Sequence, residues 1–364
     1  MAKKTIFVIL PHLGGGGAER STLNLINYWS KKNYDVFLIL MNKKGELIED
    51  VNKEIKIIDL NCKRIIHTIL PCNKLIRKYR PDITLALMWP LTSVVFFSWL
   101  LSFKIGKLYL ADHNPFIDLW FKDFNINKYF FYLTYNLTYN FSSGIICVSK
   151  NVKSEIQKIL LFKKHNIYNI NNSIKVPNTN YNIIKLKKSI YGDAKFCFLS
   201  VGRLKKSRDV ITVIKALQNF EYLNNTKLII LGTGPEESNL KKYVTKYKLN
   251  KYIEFKGFVK DTYKYFAVSD LYIHSSLYDA LPLTLIEALY FDTKILSTNC
   301  KYGPAEILKK YNLGELVKTN NPVEMLKGIY VSLDKKINHN LREKVKKNYS
   351  IESVAEKYLE VFFK

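Results

Sequence analysis

The chain has 364 residues, 48% hydrophobic and 24% charged, which is enough apolar material for two separately cored domains and the wrong balance for a disordered chain. Its formal net charge of +26, from 57 Lys and Arg against 31 Asp and Glu, implies an acidic partner or surface: nucleic acid, anionic lipid headgroups or a nucleoside diphosphate. Five cysteines, Cys62, Cys72, Cys147, Cys197 and Cys300, form no C-x-x-C pair and no metal-ligand spacing, which argues against a zinc module or a disulfide scaffold and fits a reducing cytoplasm.

Lys4 to Leu10 is a short apolar run leading into Pro11, His12, Leu13 and four glycines, Gly14 to Gly17, before the helical pattern Leu23, Leu25, Ile26, Trp29. The basic start meets a glycine loop rather than a small-residue cleavage site, so it reads as a first strand and not as a signal peptide. Consecutive glycines let the backbone turn sharply and approach a ligand, and Glu19 falls in the first helical turn, where the dipole favours it. A dinucleotide fingerprint also has a glycine loop, but its strict G-x-G-x-x-G spacing is missing here. Strand-like blocks follow: DVFLILM (35–41), IKIIDLN (55–61), ITLALMW (83–89), KLYLADH (107–113) and GIICVSK (144–150). Helical or irregular stretches separate them, and that alternation predicts parallel βαβ units.

Three features of this half bear on function. Ile83 to Phe103 carries no charge over 21 residues, a length that could span a bilayer. Pro90 interrupts it and hydroxyl residues dilute it, so a buried strand turning into a core helix is expected. His113 ends a strand block, in Asp112-His113-Asn114-Pro115, where open α/β sheets present ligand groups; a purely structural histidine is the alternative. Phe121 to Phe141, FKDFNINKYFFYLTYNLTYNF, sets Lys122 and Lys128 among aromatic rings and reads either as a pair of core helices or as an interfacial face for lipid headgroups.

Lys175 to Ser189, with Pro177, Asn178 and Asn180, has lost periodicity and is the linker candidate. A second strand-rich region begins at Lys195. KFCFLSVGRL (195–204) runs through Lys205, Lys206, Ser207 and Arg208 into the helical DVITVIKAL, so a basic cluster sits on a strand-to-helix turn. Arg203 offers a planar bidentate fork and the helix start adds N–H donors, which suits phosphate; the plainer reading is a solvated basic turn. KLIILGTGPEESNL (227–240) is strand, a Gly232 and Gly234 turn, Pro235, then helix. IEFKGFVKD (253–261) and LYIHSS (271–276) follow, and KILSTN (294–299) is another strand.

Ser275 to Leu289 organises the rest. Pro282, with fixed φ and no N–H, suits the first position of a helix continued by Leu283, Leu285, Ile286, Ala288 and Leu289. Asp279 stays on the loop before it, and Glu287 falls in an otherwise apolar helix, where an unpaired carboxylate is costly to bury. Either the two carboxylates and the helix start form one crevice for an anionic ligand, or Asp279 is an N-cap and Glu287 makes a salt bridge. Ile351 to Phe363, after Ser350, reads as a last amphipathic helix with Val354, Ala355, Tyr358, Leu359 and Phe362 on one side.

Taken together these segments resemble the retaining glycosyltransferases of family 4. Asp279-Ala280-Leu281-Pro282 followed by Glu287-Ala288 is similar to the family's E-x7-E region, usually Glu-Gly-Phe-Pro and then Glu-Ala. Gly16-Gly17-Ala18-Glu19-Arg20 resembles its N-terminal motif, Gly202-Arg203-Leu204 with Arg208 its Gly-Arg-Leu-x-x-x-Lys, and Gly303-Pro304-Ala305-Glu306 its Gly-Pro-x-Glu turn. Ile170 to Ile174 resembles the Asn-containing end of its first domain. The chain departs from the pattern at Asp279, one methylene shorter than Glu, and at Arg208, where Lys is usual.

The resemblance implies an α/β protein of GT-B fold, two Rossmann-like domains facing across a cleft: 1–178 on the acceptor side, 190–349 on the nucleotide-sugar side, and 350–364 a helix crossing back onto the first. It implies transfer of a sugar from a nucleoside diphosphate sugar, UDP-linked by preference, to a hydroxyl of a glycan acceptor with retention. Asp279, His113, Arg203 and Arg208 would serve the chemistry. Gly15, Gly16, Gly17, Gly232, Gly234, Phe258, Val259, Leu281, Pro282, Leu283 and Glu287 would join the two arginines in holding the donor, Glu287 through the ribose hydroxyls. Front-face attack with the leaving phosphate as base is what the resemblance implies; double displacement through a carboxylate is the alternative. No cofactor and no metal are expected, since no D-x-D pair has a suitable loop context and basic residues take the divalent ion's place.

The positive charge and the aromatic first half suggest a lipid-linked acceptor and an anionic membrane surface, with the protein peripheral on the cytoplasmic face. Three rivals remain. A nicotinamide oxidoreductase needs the well-spaced glycine fingerprint that is missing, and a nucleic-acid binder would show a finger, helix-turn-helix or RNA-recognition signature. A non-catalytic nucleotide-sugar-binding subunit fits the departures at Asp279 and Arg208.

Overall fold

The computed structural model describes residues 3–113, 127–162, 166–175, 181–336 and 341–364, and the chain divides into two units, Met1–Lys175 with Tyr349–Lys364, and Val176–Asn348. In the first unit β1 (Thr5–Leu10), β2 (Asp35–Leu40), β3 (Lys56–Asp59), β4 (Ile83–Leu87), β5 (Lys107–Asp112), β6 (Gly144–Cys147) and β7 (Ile167–Asn169) form one parallel sheet in the order β3-β2-β1-β4-β5-β6-β7. Its central strands are apolar without alternation because helices cover both faces; every residue of β4 is buried. The uncharged stretch after β4 becomes the helix Leu91–Leu101, whose Val95, Phe96 and Trp99 are buried. Among the described residues no helix is long and apolar enough to cross a membrane.

The terminal helix Ile351–Phe363 belongs to this first unit. Ser350 caps it, and Phe362, fully buried, meets Trp29 and Tyr109 at ring-centroid distances of 5.7 Å and 5.0 Å. The Tyr109 hydroxyl donates to the Val361 carbonyl at 2.7 Å, and Ile174 bridges to Ser350 in parallel, so the helix both enters and ends on first-unit backbone.

In the second unit β8 (Phe196–Val201), β9 (Thr226–Leu231), β10 (Ile253–Gly257), β11 (Leu271–His274), β13 (Lys294–Thr298) and β15 (Glu315–Val317) form a parallel sheet ordered β10-β9-β8-β11-β13-β15. A separate two-stranded ribbon pairs β12 (Tyr278–Asp279) with β14 (Lys301–Tyr302). Part of the linker candidate is in fact ordered as the helix Ile183–Tyr191. Asn182 caps it by accepting from Lys185 N at 3.1 Å, Lys187 pairs with Asp270 at 2.5 Å, and buried Tyr191 bonds Ser269 at 2.7 Å. Its lysines hid an amphipathic pattern that tertiary contacts complete. Residues 176–180, with Pro177, Asn178 and Asn180, lie outside the described residues.

Candidate active site

Parallel sheets present ligand groups beyond the carboxyl ends of their strands, and in the second unit the motif residues gather at those ends. Three loops there are stitched backbone to backbone. Gly202 N bonds Leu231 O at 3.0 Å, Gly232 N bonds Gly257 O at 2.7 Å, and Leu204 N bonds Thr233 O at 2.8 Å. A Cβ on Gly232 would lie 2.0 Å from the Gly202 carbonyl oxygen, and one on Gly234 would lie 2.3 Å from that of Leu204. Packing of loop on loop therefore already requires both glycines. Phe258, exposed, and Val259, half-buried, follow β10 on the next loop.

Arg203 emerges exposed from the end of β8 with no side-chain partner among the described residues. Five residues on, Arg208 turns inward and forms an ion pair with Asp279. Its Nη1 also donates to Ser276 Oγ at 2.9 Å and lies 3.4 Å from His274 Nε2. Its Nε is buried without a partner, and Nη2 has none among the described residues. One side of the guanidinium is thus pinned by protein while the other keeps its donors. Asp279 is no N-cap. It sits on β12, and although burial pushes its carboxyl up, Arg208 and then His274 outweigh that and hold it well below the usual carboxylate range. Burial lowers Arg208 too, but Asp279 reverses the effect and raises it.

Pro282 is the N-cap residue of the helix Leu283–Tyr290 rather than its first position, with Leu281, Pro282 and Leu283 all buried. Its ring meets the Gly-Pro-x-Glu turn: a Cβ on Gly303 would lie 2.6 Å from Pro282 Cδ. Glu287 is 7% exposed in the middle of that apolar helix. His274 is the site residue that sequence reading passed over. Nothing marked it except its place as the last residue of β11, the strand that feeds the Asp279 loop.

In the first unit Gly15, Gly16 and Gly17 are exposed after β1, Gly16 caps the helix Gly17–Lys31, and Glu19 folds back over it so closely that a Cβ on Gly16 would fall 2.4 Å from Glu19 Oε2. His113 follows β5, separated from β1 by β4 in the sheet. It is 7% exposed, neither ring nitrogen has a partner among the described residues, and burial lowers its pKa to about 4. Asn114 and Pro115 lie outside the described residues. Beside it, buried Asp112 accepts from the Tyr135 hydroxyl at 2.9 Å and the Tyr139 hydroxyl at 3.4 Å, a cluster that no sequence motif announced. The described residues contain no group of three or more His, Cys, Asp or Glu placed to hold a metal ion.

Two family models match the chain, Glycosyltransferase Family 4 over residues 15–176 and Glycosyl transferases group 1 over residues 183–350. The chain belongs to the family 4-like glycosyltransferases. It is 27% identical over 349 residues, 92% of this chain and 91% of the relative, to an N-acetylgalactosamine-N,N'-diacetylbacillosaminyl-diphospho-undecaprenol 4-alpha-N-acetylgalactosaminyltransferase of Campylobacter jejuni. An amylovoran biosynthesis glycosyltransferase of Erwinia amylovora is 24% identical over 295 residues, 81% of this chain and 80% of that one. Among solved structures, Anabaena HepE in complex with UDP-glucose superposes with a TM-score of 0.83 at 16% identity, covering 99% of both chains. At that identity the likeness speaks for the fold alone, and the fold is GT-B. This glycosyltransferase acts on nucleotide sugars in glycan biosynthesis.

Proposed function

We propose that this glycosyltransferase takes a UDP-linked sugar, leaves the anomeric configuration unchanged, needs no metal ion, and acts on a lipid-linked glycan met at an anionic membrane surface. The observation that carries the donor part is Arg208. Its Nη1 is saturated by Asp279, Ser276 and His274, its remaining donors have no protein partner among the described residues, and it stands with Arg203 at the carboxyl ends of the strands. A diphosphate oxygen that gains charge as the sugar departs would be stabilised by two guanidinium groups, as a divalent ion would do elsewhere. Glu287, buried one turn into its helix, would accept from the ribose hydroxyls. His113, neutral across the physiological range, would line the acceptor side as a polar but uncharged group.

Retention follows most simply from attack on the face the diphosphate leaves, with that phosphate taking the acceptor's proton. Asp279, held by Arg208, is a poor nucleophile for the alternative double displacement. The lipid-linked acceptor is supported by the undecaprenol-linked substrate in the name of the Campylobacter relative and by the net charge of +26. Incubation with a panel of nucleotide sugars, a short-chain lipid-linked acceptor and excess chelator tests the whole reading. It expects UDP release and an axial product linkage by NMR from a UDP-linked α-sugar; release from another nucleotide only, loss of activity on chelation, or inverted product each overturns the corresponding part.

A further inference from the structure

His274 lies between two partners. On one side Nδ1 is 3.1 Å from Ser297 Oγ on β13; on the other Nε2 is 3.4 Å from Arg208 Nη1 and 3.5 Å from Asp279 Oδ2. The ring is 3% exposed. The Ser297 hydroxyl donates to the Thr298 carbonyl at 3.0 Å, which leaves Ser297 Oγ to accept from Nδ1–H; in that tautomer the neutral ring carries its lone pair on Nε2. That lone pair faces a guanidinium nitrogen already shared by Asp279 and by Ser276 at 2.9 Å. Three acceptors, His274 on β11, Ser276 on the loop after it and Asp279 on β12, therefore share the two N–H groups of one Arg208 nitrogen, while its other donors have no partner among the described residues.

We infer that His274 is a positioning residue for Arg208, accepting at Nη1 so that the guanidinium is held with its unpartnered side turned toward the anionic donor. The inference rests on the proposed role of Arg208 in holding the diphosphate. Its chemistry is specific to the neutral ring. Protonated at Nε2, His274 would turn from acceptor to donor, bond Asp279 and push the guanidinium away. The charged groups facing it among the described residues are Arg208, from the turn after β8, and Asp279, from β12; from β13 the ring meets the Ser297 hydroxyl, and the Thr298 hydroxyl donates to the His274 carbonyl at 3.5 Å. Burial, reinforced by Arg208 and partly opposed by Asp279, keeps its pKa below the ordinary imidazole value.

The test is calorimetric titration of UDP into the full chain across a pH series, for the wild type, His274→Phe and His274→Gln. Phe keeps the ring and loses the acceptor, and UDP is expected to bind about 10-fold more weakly. The amide oxygen of Gln reaches the Nε2 position, and binding is expected to stay within about threefold of wild type. As pH drops below the imidazole range the wild type should lose affinity faster than His274→Gln; the terminal phosphate of UDP titrates equally for both, so the difference between their profiles is the readout. Equal binding by His274→Phe and wild type, or parallel pH profiles for His274→Gln and wild type, overturns the inference. Should His274→Phe fail to fold, the Gln comparison decides alone. A wild type that takes up no UDP at any pH removes the donor reading first, and this inference with it.

Discussion

Half-buried Asp279 and buried His113 both have lowered pKa values, so both lose stability as pH falls, in different pH windows. His113 titrates at about 4 in the folded chain against 6.5 for an ordinary imidazole. Between those values the unfolded chain binds a proton that the folded one refuses, so stability declines from pH 6.5 to pH 4 by up to about 3 kcal/mol. His113→Gln should flatten that part of a urea-denaturation pH series. The Asp279 carboxyl is held below its ordinary range, so its contribution is complete above the unfolded pKa and is lost only at more acid pH. Asp279→Asn should therefore change the profile below pH 4 and leave the His113 window intact. Because Asp279 and Arg208 form an ion pair, a double-mutant cycle of Asp279→Asn with Arg208→Gln is expected to show a coupling of about 1–3 kcal/mol in stability. Additive losses would mean that each side chain acts alone.

At the scale of single elements the strand-end loops and one helix make separate claims. Gly234→Ala drives a methyl into the Leu204 carbonyl, a backbone atom that cannot swing aside, and should cost about 2 kcal/mol or more by urea denaturation. The helix Lys128–Phe141 has two apolar faces. Phe131, Tyr135 and Tyr139 are buried, while Phe130, Leu133, Leu137 and Phe141 form an exposed stripe at three- and four-residue spacing, with Leu133 67% exposed. Lys128 begins this helix, and Arg77 stacks on exposed Phe103 just after the neighbouring helix Leu91–Leu101. Such a face, on a strongly basic chain, suits an anionic bilayer. Wild type should sediment with phosphatidylglycerol vesicles at low salt, and Leu133→Glu with Leu137→Glu should stay in the supernatant. Equal partitioning of the two would place any membrane contact elsewhere. Within this helix the inner side is packed into the core and the outer side is apolar and exposed among the described residues; Phe121 to Ile126 lie outside them.

Across the whole molecule, most of the fold was legible because parallel strands buried on both faces leave unbroken apolar runs such as TIFVIL and ITLAL, and loops at their carboxyl ends carry the glycines and arginines. Arg203, Arg208, Asp279 and Glu287 were legible as members of spaced motifs. His274 was not, since a histidine ending a strand has no spacing partner and its significance appears only when β13 and the Arg208 turn come alongside. The helix Ile183–Tyr191 was missed because its Lys187–Asp270 pair and its Tyr191–Ser269 bond depend on residues distant in sequence. The terminal helix, by contrast, announced its apolar side, and that side packs onto Trp29 in the first unit. The proposed donor grip is the arginine pair, Arg203 and Arg208, at the strand ends of the second unit. Titrating UDP into wild type and Arg208→Ala by calorimetry tests this most directly. One binding site per chain, weakened at least about 10-fold in the variant, is the expected result; no heat with UDP or any other nucleoside diphosphate, or equal affinity in the variant, would contradict it.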